Sequence, residues 1–178
     1  MIHNIRIHKA EPNVGVWDFS HLLDTPAGKH GFVQAKDGHL YFEDGTRARF
    51  LGFNVAGRSN TPDHETADKL AARFASMGVN VIRLHAADAP ISDEPGSWAS
   101  CREAPLLDYD GGNGRVFHPE GLDRFDYFAA KLKEKGIYLH IDLIVARNFV
   151  EGDGLDYPGD VGSCVKRYPM YNKRLIEL

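Results

Sequence analysis

The sequence has few cysteines, no long apolar run and only a small excess of negative charge. Its two cysteines, Cys101 and Cys164, lie far apart and fit no metal-ligand spacing, so a disulfide-stapled scaffold is excluded and two free thiols are favoured. No stretch approaches the roughly 18 apolar residues of a membrane helix. The first residues are polar and lack the apolar region of a signal peptide. We therefore expect no membrane association and a cytoplasmic location.

Binding motifs for charged partners and cofactors are equally sparse. The 21 basic and 25 acidic residues give a net charge of −4 and are mixed along the chain, so no nucleic-acid-binding surface is predicted. There is no phosphate-binding loop, no dinucleotide fingerprint and no complete zinc-protease motif. We expect neither a cofactor nor a metal ion. What is present is 178 residues, 43% of them hydrophobic, which is enough for one sizeable core.

The first part of the chain predicts a lead-in segment over residues 1–30, followed by a domain over residues 31–178. Two Asp-Gly pairs, Asp37-Gly38 and Asp44-Gly45, separate short β-prone runs in the first part of this domain. Asp-Gly between such runs is typical of tight hairpin turns. The pattern predicts a small antiparallel β ribbon of three runs that leads into a buried strand over 50–55.

A helix and a strand separated by one glycine come next. The helix is predicted to begin with Thr61 as its N-cap and Pro62 in its first turn, because hydroxyl side chains and proline favour those positions. It is predicted to end at Gly78, since glycine takes the left-handed conformation at a helix end cheaply. A strand over 79–85 follows.

The same order returns further along the chain. A second helix is predicted to begin at Pro119 and to end at Gly136, before a strand over 137–144, and a third helix to begin near Tyr171. Helices that alternate with strands in this way are typical of βαβ units and a parallel sheet. The long connections 86–118 and 145–170 leave the carboxyl ends of strands, where such folds bind their ligands.

Polar side chains lie at these predicted strand ends. Strand alternation places Arg83 and His85 on one face, with apolar residues on the other. A buried arginine requires a partner, and Asp142 could orient either Arg83 or His85, or could pair with Arg147 instead. Asp88 and Asp142 are the acids placed at or just beyond strand ends.

Several motifs then follow one another in a fixed order: Gly31-Phe32-Val33, Asp37-Gly38-His39-Leu40-Tyr41-Phe42, Arg49-Phe50-Leu51-Gly52-Phe53-Asn54, Gly78-Val79-Asn80-Val81-Ile82-Arg83-Leu84-His85, Leu122-Asp123-Arg124-Phe125-Asp126 and Gly136-Ile137-Tyr138. The series resembles the amino-terminal third of a clan A glycoside hydrolase, nearest to the family 5 (cellulase-like) group. The resemblance implies an incomplete TIM (β/α)₈ barrel, made of about the first three βα units and preceded by the antiparallel ribbon.

The resemblance also implies that the catalytic residues are absent from this chain. In the family, the general acid/base is the glutamate of an Asn-Glu pair after the fourth strand, and the nucleophile is a glutamate after the seventh. This sequence contains no Asn-Glu pair. Only three barrel strands are counted in its 178 residues, whereas a closed barrel has eight strands and takes roughly 250 residues. It also has Ile144 where the family often carries a histidine. We expect an inactive fragment of a retaining glycosidase for β-linked sugars.

Six residues are candidates to bind the substrate or to support the residues that do: Asn54, Arg83, His85, Asp88, Trp98 and Asp142. The resemblance implies the roles of the first two. Asn54 is expected to contact or support the substrate, and Arg83, buried in the barrel, to hold the nucleophilic glutamate ionised by hydrogen bonding. His85 is expected to contact a sugar hydroxyl, with Asp142 as an orienting acid. Trp98 is the best candidate among the loop aromatics to stack on a sugar ring. The structural alternatives are a turn asparagine, an arginine that reaches solvent or Asp142, an ordinary loop histidine and packing beneath the loops.

Two other functions stay open at this point. The chain could be a non-catalytic carbohydrate-binding or assembly module, or a different barrel enzyme that uses the carboxylates of Asp88 and Asp142. Carbohydrate is the expected ligand both of the glycosidase fragment and of the binding module. Because an incomplete barrel leaves unpaired strand edges and uncovered apolar faces, we also expect self-association or a complementing barrel fragment as partner.

Overall fold

The structure is a computed structural model and describes residues 12–92, 94, 97, 99, 103–110, 115–147 and 149–154. Trp98, both cysteines and the helix predicted near Tyr171 lie outside the described residues. Among the described residues, no helix is long and apolar enough to cross a membrane.

The described residues form a mixed α/β fold. In chain order its strands and α-helices are β1 (Val33–Lys36), β2 (His39–Phe42), β3 (Gly52–Ala56), α1 (His64–Ser76), β4 (Val81–His85), α2 (Pro119–Glu134) and β5 (Tyr138–Ile141). Short 3₁₀ helices lie at Gly15–Trp17, Ser20–Leu22, Gly57–Asn60 and Glu151–Asp153.

Strands β1 and β2 form an antiparallel hairpin. Val33 lies opposite Phe42, and Lys36 lies opposite His39 at the turn. The two turn residues, Asp37 and Gly38, both have positive φ angles (50° and 73°), as a type I′ turn requires. The run predicted as a third ribbon strand makes only an isolated bridge, between Arg47 and Tyr41.

The other three strands form a parallel sheet in the order β3-β4-β5, as the helix–glycine–strand pattern predicts. The Tyr138 N–H donates to the Asn80 carbonyl (2.8 Å), and the Asp142 N–H donates to the Leu84 carbonyl (3.3 Å). From the first bond to the second, the donor residue and the acceptor residue both move towards the C-terminus, as they do in parallel pairing. Each strand is shorter than predicted, and β5 ends at Ile141 rather than at residue 144.

The start of α1 differs from the prediction. The N-cap is Asp63, whose carboxylate accepts a hydrogen bond from the Thr66 N–H (2.7 Å). Thr61 is buried and its hydroxyl donates to the Ala104 carbonyl (2.8 Å). Thr61 is instead the C-cap of the short helix Gly57–Asn60. The helix α1 therefore begins at His64, two residues later than predicted, and Pro62 lies outside it. Aspartate caps a helix as well as threonine does, and tertiary contacts decide between them.

Both helices end at the predicted glycines. Gly78 and Gly136 have φ angles of 74° and 81°. After α1, the Gly78 N–H donates to the Ala75 carbonyl and the Val79 N–H to the Phe74 carbonyl. The same two bonds follow α2, where Gly136 donates to the Lys133 carbonyl and Ile137 to the Leu132 carbonyl. These paired bonds are the Schellman motif, which satisfies carbonyls that a helix end leaves open.

The chain divides into two compact units. Among the described residues, the first comprises residues 12–53, 63–82 and 128–139, and the second comprises residues 54–62, 83–127 and 140–154. The core of the first unit includes buried apolar side chains from α1, β4, α2 and the segment before β5: Ala67, Ala71, Val79, Ile82, Phe128, Leu132 and Ile137. The second unit buries Val55, Leu84, Ala86, Ala104 and Phe149.

Leucine residues at two positions test how the core stabilises the fold. Leu132 is fully buried and Leu143 is 85% exposed. We expect Leu132→Ala to lower the free energy of unfolding by about 2–5 kcal/mol, because it removes buried methyl groups and leaves a cavity. The matched change Leu143→Ala is expected to stay within about 0.5 kcal/mol of the wild type. Urea denaturation of both variants measures the difference, and equal effects would contradict this assignment of the core.

Candidate functional site

Four polar side chains meet at the carboxyl ends of the parallel strands. Asn54 lies in β3, Arg83 and His85 lie in β4, and Asp142 is the first residue after β5. Because the strands are adjacent and parallel, their carboxyl ends lie at the same edge of the sheet. These four residues, all in the second unit, are called the Asp142 cluster below.

Arg83 and Asp142 form the central ion pair of the cluster. The Arg83 Nη2 lies 2.6 Å from Asp142 Oδ2, and its Nε donates to Oδ1 (3.2 Å). Because two guanidinium nitrogens contact the two carboxylate oxygens, the pair fixes the relative orientation of the two groups in addition to their electrostatic attraction. The third guanidinium nitrogen, Nη1, donates to Asn54 Oδ1 (3.3 Å). Arg83 therefore links the ends of β3 and β5 from the central strand.

The same carboxylate holds His85. The imidazole Nδ1 lies 2.6 Å from Asp142 Oδ2, and the His140 ring lies 3.5 Å from the other oxygen through Nε2. The hydrogen bond with His85, followed by those from Arg83, lowers the pKa of the Asp142 carboxyl below its ordinary value despite partial desolvation. Asp142 is therefore ionised at neutral pH. Of the alternatives that the sequence left open, the structure has Asp142 contacting both Arg83 and His85.

Arg83 was expected to be buried, but in the structure its side chain is exposed. The Arg83 side chain is 45% exposed, that of His85 31% and that of Asp142 13%. Ile82 and Leu84, on the opposite face of β4, are buried as the alternation predicts. Because almost half of the Arg83 side chain is exposed, the guanidinium can reach a ligand while it holds Asp142.

Asp88 lies three residues after β4 and has another role. Its carboxylate is buried and accepts hydrogen bonds from the backbone N–H groups of Val145 (2.8 Å), Ala146 (3.1 Å) and Arg147 (3.3 Å). Its backbone carbonyl accepts from the Tyr109 hydroxyl (2.6 Å). Asp88 thus fixes the chain that follows the cluster. Sequence reasoning missed this role, although an acid within the alanine-rich run of residues 86–89 is a signal that could have indicated burial.

Arg147 pairs with Asp153, not with Asp142. The two side chains are buried, 3.2 Å apart, and the guanidinium lies over the Phe149 ring at 4.5 Å. The other Asp153 oxygen accepts from the Val150 N–H (2.9 Å). Sequence reasoning did not find this pair, which braces the segment after β5 from within.

Two loop aromatics have packing roles. Tyr109 bonds to the backbone at Asp88, and Phe149 is buried beneath Arg147. Trp98, the predicted stacking residue, lies outside the described residues. Within the described part of the chain, no three histidine, cysteine or acidic side chains are grouped so that they could hold a metal ion.

Comparisons with known proteins found likeness to solved structures alone. No family model matches the sequence, and no curated protein matches it. One similar structure is a crystal structure of a glycoside hydrolase family 5 protein from Bacteroides vulgatus ATCC 8482, at 15% identity and a TM-score of 0.46, over 67% of this chain and 26% of that one. Another, described as a glycoside hydrolase, has 18% identity and a TM-score of 0.46, over 66% and 26%. This chain thus spans about a quarter of the length of each.

Replacement of Asp88 tests its hold on the loop. We expect Asp88→Asn to lower the free energy of unfolding by about 2–3 kcal/mol, since the amide cannot accept from all three N–H groups and places its own donors among them. Amide hydrogen exchange at residues 145–147 should accelerate more than exchange in α1. Asp126→Asn, on the exposed side of α2, is the control and should change neither quantity. Wild-type protection at residues 145–147 in the Asp88 variant would contradict the assignment.

Proposed function

We propose that the Asp142 cluster forms part of the sugar-binding cleft of a retaining glycoside hydrolase that acts on β-linked oligo- or polysaccharides. The observation that carries this proposal is that Arg83 and His85 share the Asp142 carboxylate, while Arg83 also donates to Asn54, at the carboxyl ends of parallel strands. That edge is where α/β folds bind ligands.

The chemistry of the cluster suits a hydroxylated ligand. Sugars are recognised by donors and acceptors in fixed positions, and such groups are held best on strands that brace one another by hydrogen bonds. Arg83 offers donors and Asn54 offers an amide, and each is oriented by the contact with the other (3.3 Å). Their exposure leaves room for a ligand on the same side.

We also propose that this chain does not hydrolyse glycosides by itself. A retaining mechanism uses two carboxyl groups about 5–5.5 Å apart, one as nucleophile and one as acid. Asp142 is ionised, and Arg83 contacts both of its carboxylate oxygens. Both oxygens of Asp88 accept hydrogen bonds from backbone N–H groups. We therefore assign the catalytic pair to glutamates on further strands of a complete barrel, where Arg83 would hold the nucleophile ionised.

A second function follows from the same engaged carboxylates. With no free carboxyl pair in the cluster, the chain is also suited to act as a non-catalytic carbohydrate-binding or assembly module. The two proposals share the ligand and differ in whether hydrolysis appears once a glutamate-bearing partner completes the site.

Binding of neutral oligosaccharides tests the shared part of both proposals. We expect one of the cello-, manno- or xylo-hexaoses to bind the purified chain in isothermal titration calorimetry. Arg83→Ala should weaken that binding about tenfold or more, because a charged hydrogen-bond donor is lost and Asn54 and Asp142 are released. Arg49→Ala, at an exposed position before β3, is the control and should bind as the wild type does.

Two outcomes would contradict the proposals. Absence of binding by all three sugars would exclude a sugar cleft in this chain. Hydrolysis of aryl β-glycosides by the isolated chain, lost in Arg83→Ala, would show that it carries its own catalytic carboxylates.

We further propose that the outer edges of the sheet, at β3 and β5, bind a second copy of this chain or a complementing barrel fragment. Each outer strand, β3 and β5, has one neighbouring strand among the described residues. Beside β5, within the first unit, lies an apolar groove of about 560 Å³ whose walls include Phe32, Ala129 and Leu139. Open strand edges next to apolar surface pair readily with other chains.

A charge placed on the edge strand tests this partner. We expect the wild-type chain to show a mass above that of the monomer in size-exclusion chromatography with light scattering. Ile141→Lys, on β5, should lower that mass, since a charged edge opposes strand pairing. Leu40→Lys, at a similarly exposed position of β2, is the control. A wild-type monomer with a cooperative thermal transition at all concentrations would overturn the proposal.

A further inference from the structure

The hydrogen bond between Asp142 and His85 has a fixed direction. Asp142 Oδ2 already lies 2.6 Å from the Arg83 guanidinium, and an ionised carboxylate can only accept hydrogen bonds. The His85 Nδ1, also 2.6 Å from Oδ2, must therefore carry the hydrogen that lies between them. When the ring is neutral its second nitrogen, Nε2, then holds a lone pair and is an acceptor.

We propose that Asp142 is a positioning residue that fixes His85 in the Nδ1–H tautomer and makes its Nε2 the hydrogen-bond acceptor of the sugar site. The proposal rests on the proposed function for its ligand, and on the contacts within the cluster for the tautomer. No described residue donates a hydrogen bond to Nε2, and the side chain is 31% exposed, so a ligand hydroxyl can reach the ring.

The charges around His85 favour a neutral sugar as this ligand. Asp142 faces its Nδ1, Arg83 lies against the same carboxylate, His140 lies 3.5 Å from the other oxygen, and Asn54 carries no charge. The charges of Arg83 and Asp142 cancel, so the cluster and the neighbouring His140 together have no net charge while both histidines are neutral. It therefore accepts hydroxyl donors without attracting a carboxylate.

Protonation of His85 reverses this preference. Nε2 then becomes a donor, and the cluster acquires a net positive charge. With the ring protonated, a neutral sugar loses its acceptor, whereas a uronic acid gains a cationic partner.

The tautomer is measured directly on the intact chain. Two-dimensional ¹H–¹⁵N NMR of the histidine rings at pH 8 should show His85 protonated at Nδ1 and unprotonated at Nε2. In Asp142→Asn the side-chain amide can either accept from Nδ1 or donate to it, so the ring should become a mixture of tautomers. His39, an exposed histidine of β2, should give identical signals in both proteins and so reports an intact fold.

Two results would overturn the positioning role. One is a wild-type His85 with its hydrogen on Nε2, and the other is a wild-type tautomer in Asp142→Asn while the His39 signals are unchanged. If the variant fails to fold, the wild-type spectrum alone still decides which nitrogen is protonated.

Ligand preference is measured separately, with cellohexaose as the neutral probe and a galacturonate hexamer as the acidic one. At pH 8 we expect the neutral sugar to bind about 3- to 10-fold more tightly than the acidic one, the effect of one hydrogen bond to the Nε2 acceptor. A preference for the acidic sugar at pH 8 would refute the charge argument. Failure of every neutral sugar to bind would instead refute the proposed function, and the NMR result would stand apart from it.

Discussion

The Asp142 carboxylate is the interaction on which the site depends. It holds the guanidinium of Arg83 at two points and the imidazole of His85 at a third, and Arg83 in turn holds Asn54. The parallel register between β4 and β5, seen in the bond from the Asp142 N–H to the Leu84 carbonyl, places this carboxylate beside the two β4 side chains. A shift of that register by one residue would turn it to the other face of the sheet.

The segment after β5 shows how the fold keeps this carboxylate in place. Asp88 gathers three consecutive N–H groups that begin three residues beyond Asp142, and the buried pair of Arg147 and Asp153 braces the chain a little further on. Buried ionic groups of this kind are costly unless they are paired, and Arg147 is paired through Nη2 while its buried Nε has no hydrogen-bond partner among the described residues. Two acids therefore divide the work: Asp142 organises the exposed side chains, and Asp88 organises the backbone that follows them.

Features that depend on local sequence could be predicted, and those that depend on distant contacts could not. The glycines that end both helices, the parallel sheet and the two faces of β4 follow from periodicity and turn chemistry, which act over a few residues. The N-cap of α1 was misplaced because Thr61 bonds to Ala104, far along the chain. The pair of Arg147 and Asp153 was missed because no strand or helix period governs an irregular segment, and the partners of Asp88 are backbone groups that no residue type reveals.

The division that we propose between sugar binding and catalysis rests on how many carboxylates the cluster leaves free. A carboxylate that two cationic or hydrogen-bonding side chains hold ionised is a poor proton donor, since the contacts that lower its pKa stabilise the form without the proton. Its oxygens are also engaged, so its electrons are less available for attack on a sugar carbon. The same contacts make Asp142 effective as an organiser, because they convert one charge into a fixed orientation for Arg83 and His85. An ion pair with no net charge, flanked by an imidazole and an amide, offers hydrogen bonds without strong attraction for ions, and that is the property that recognition of a neutral polyhydroxylated ligand requires.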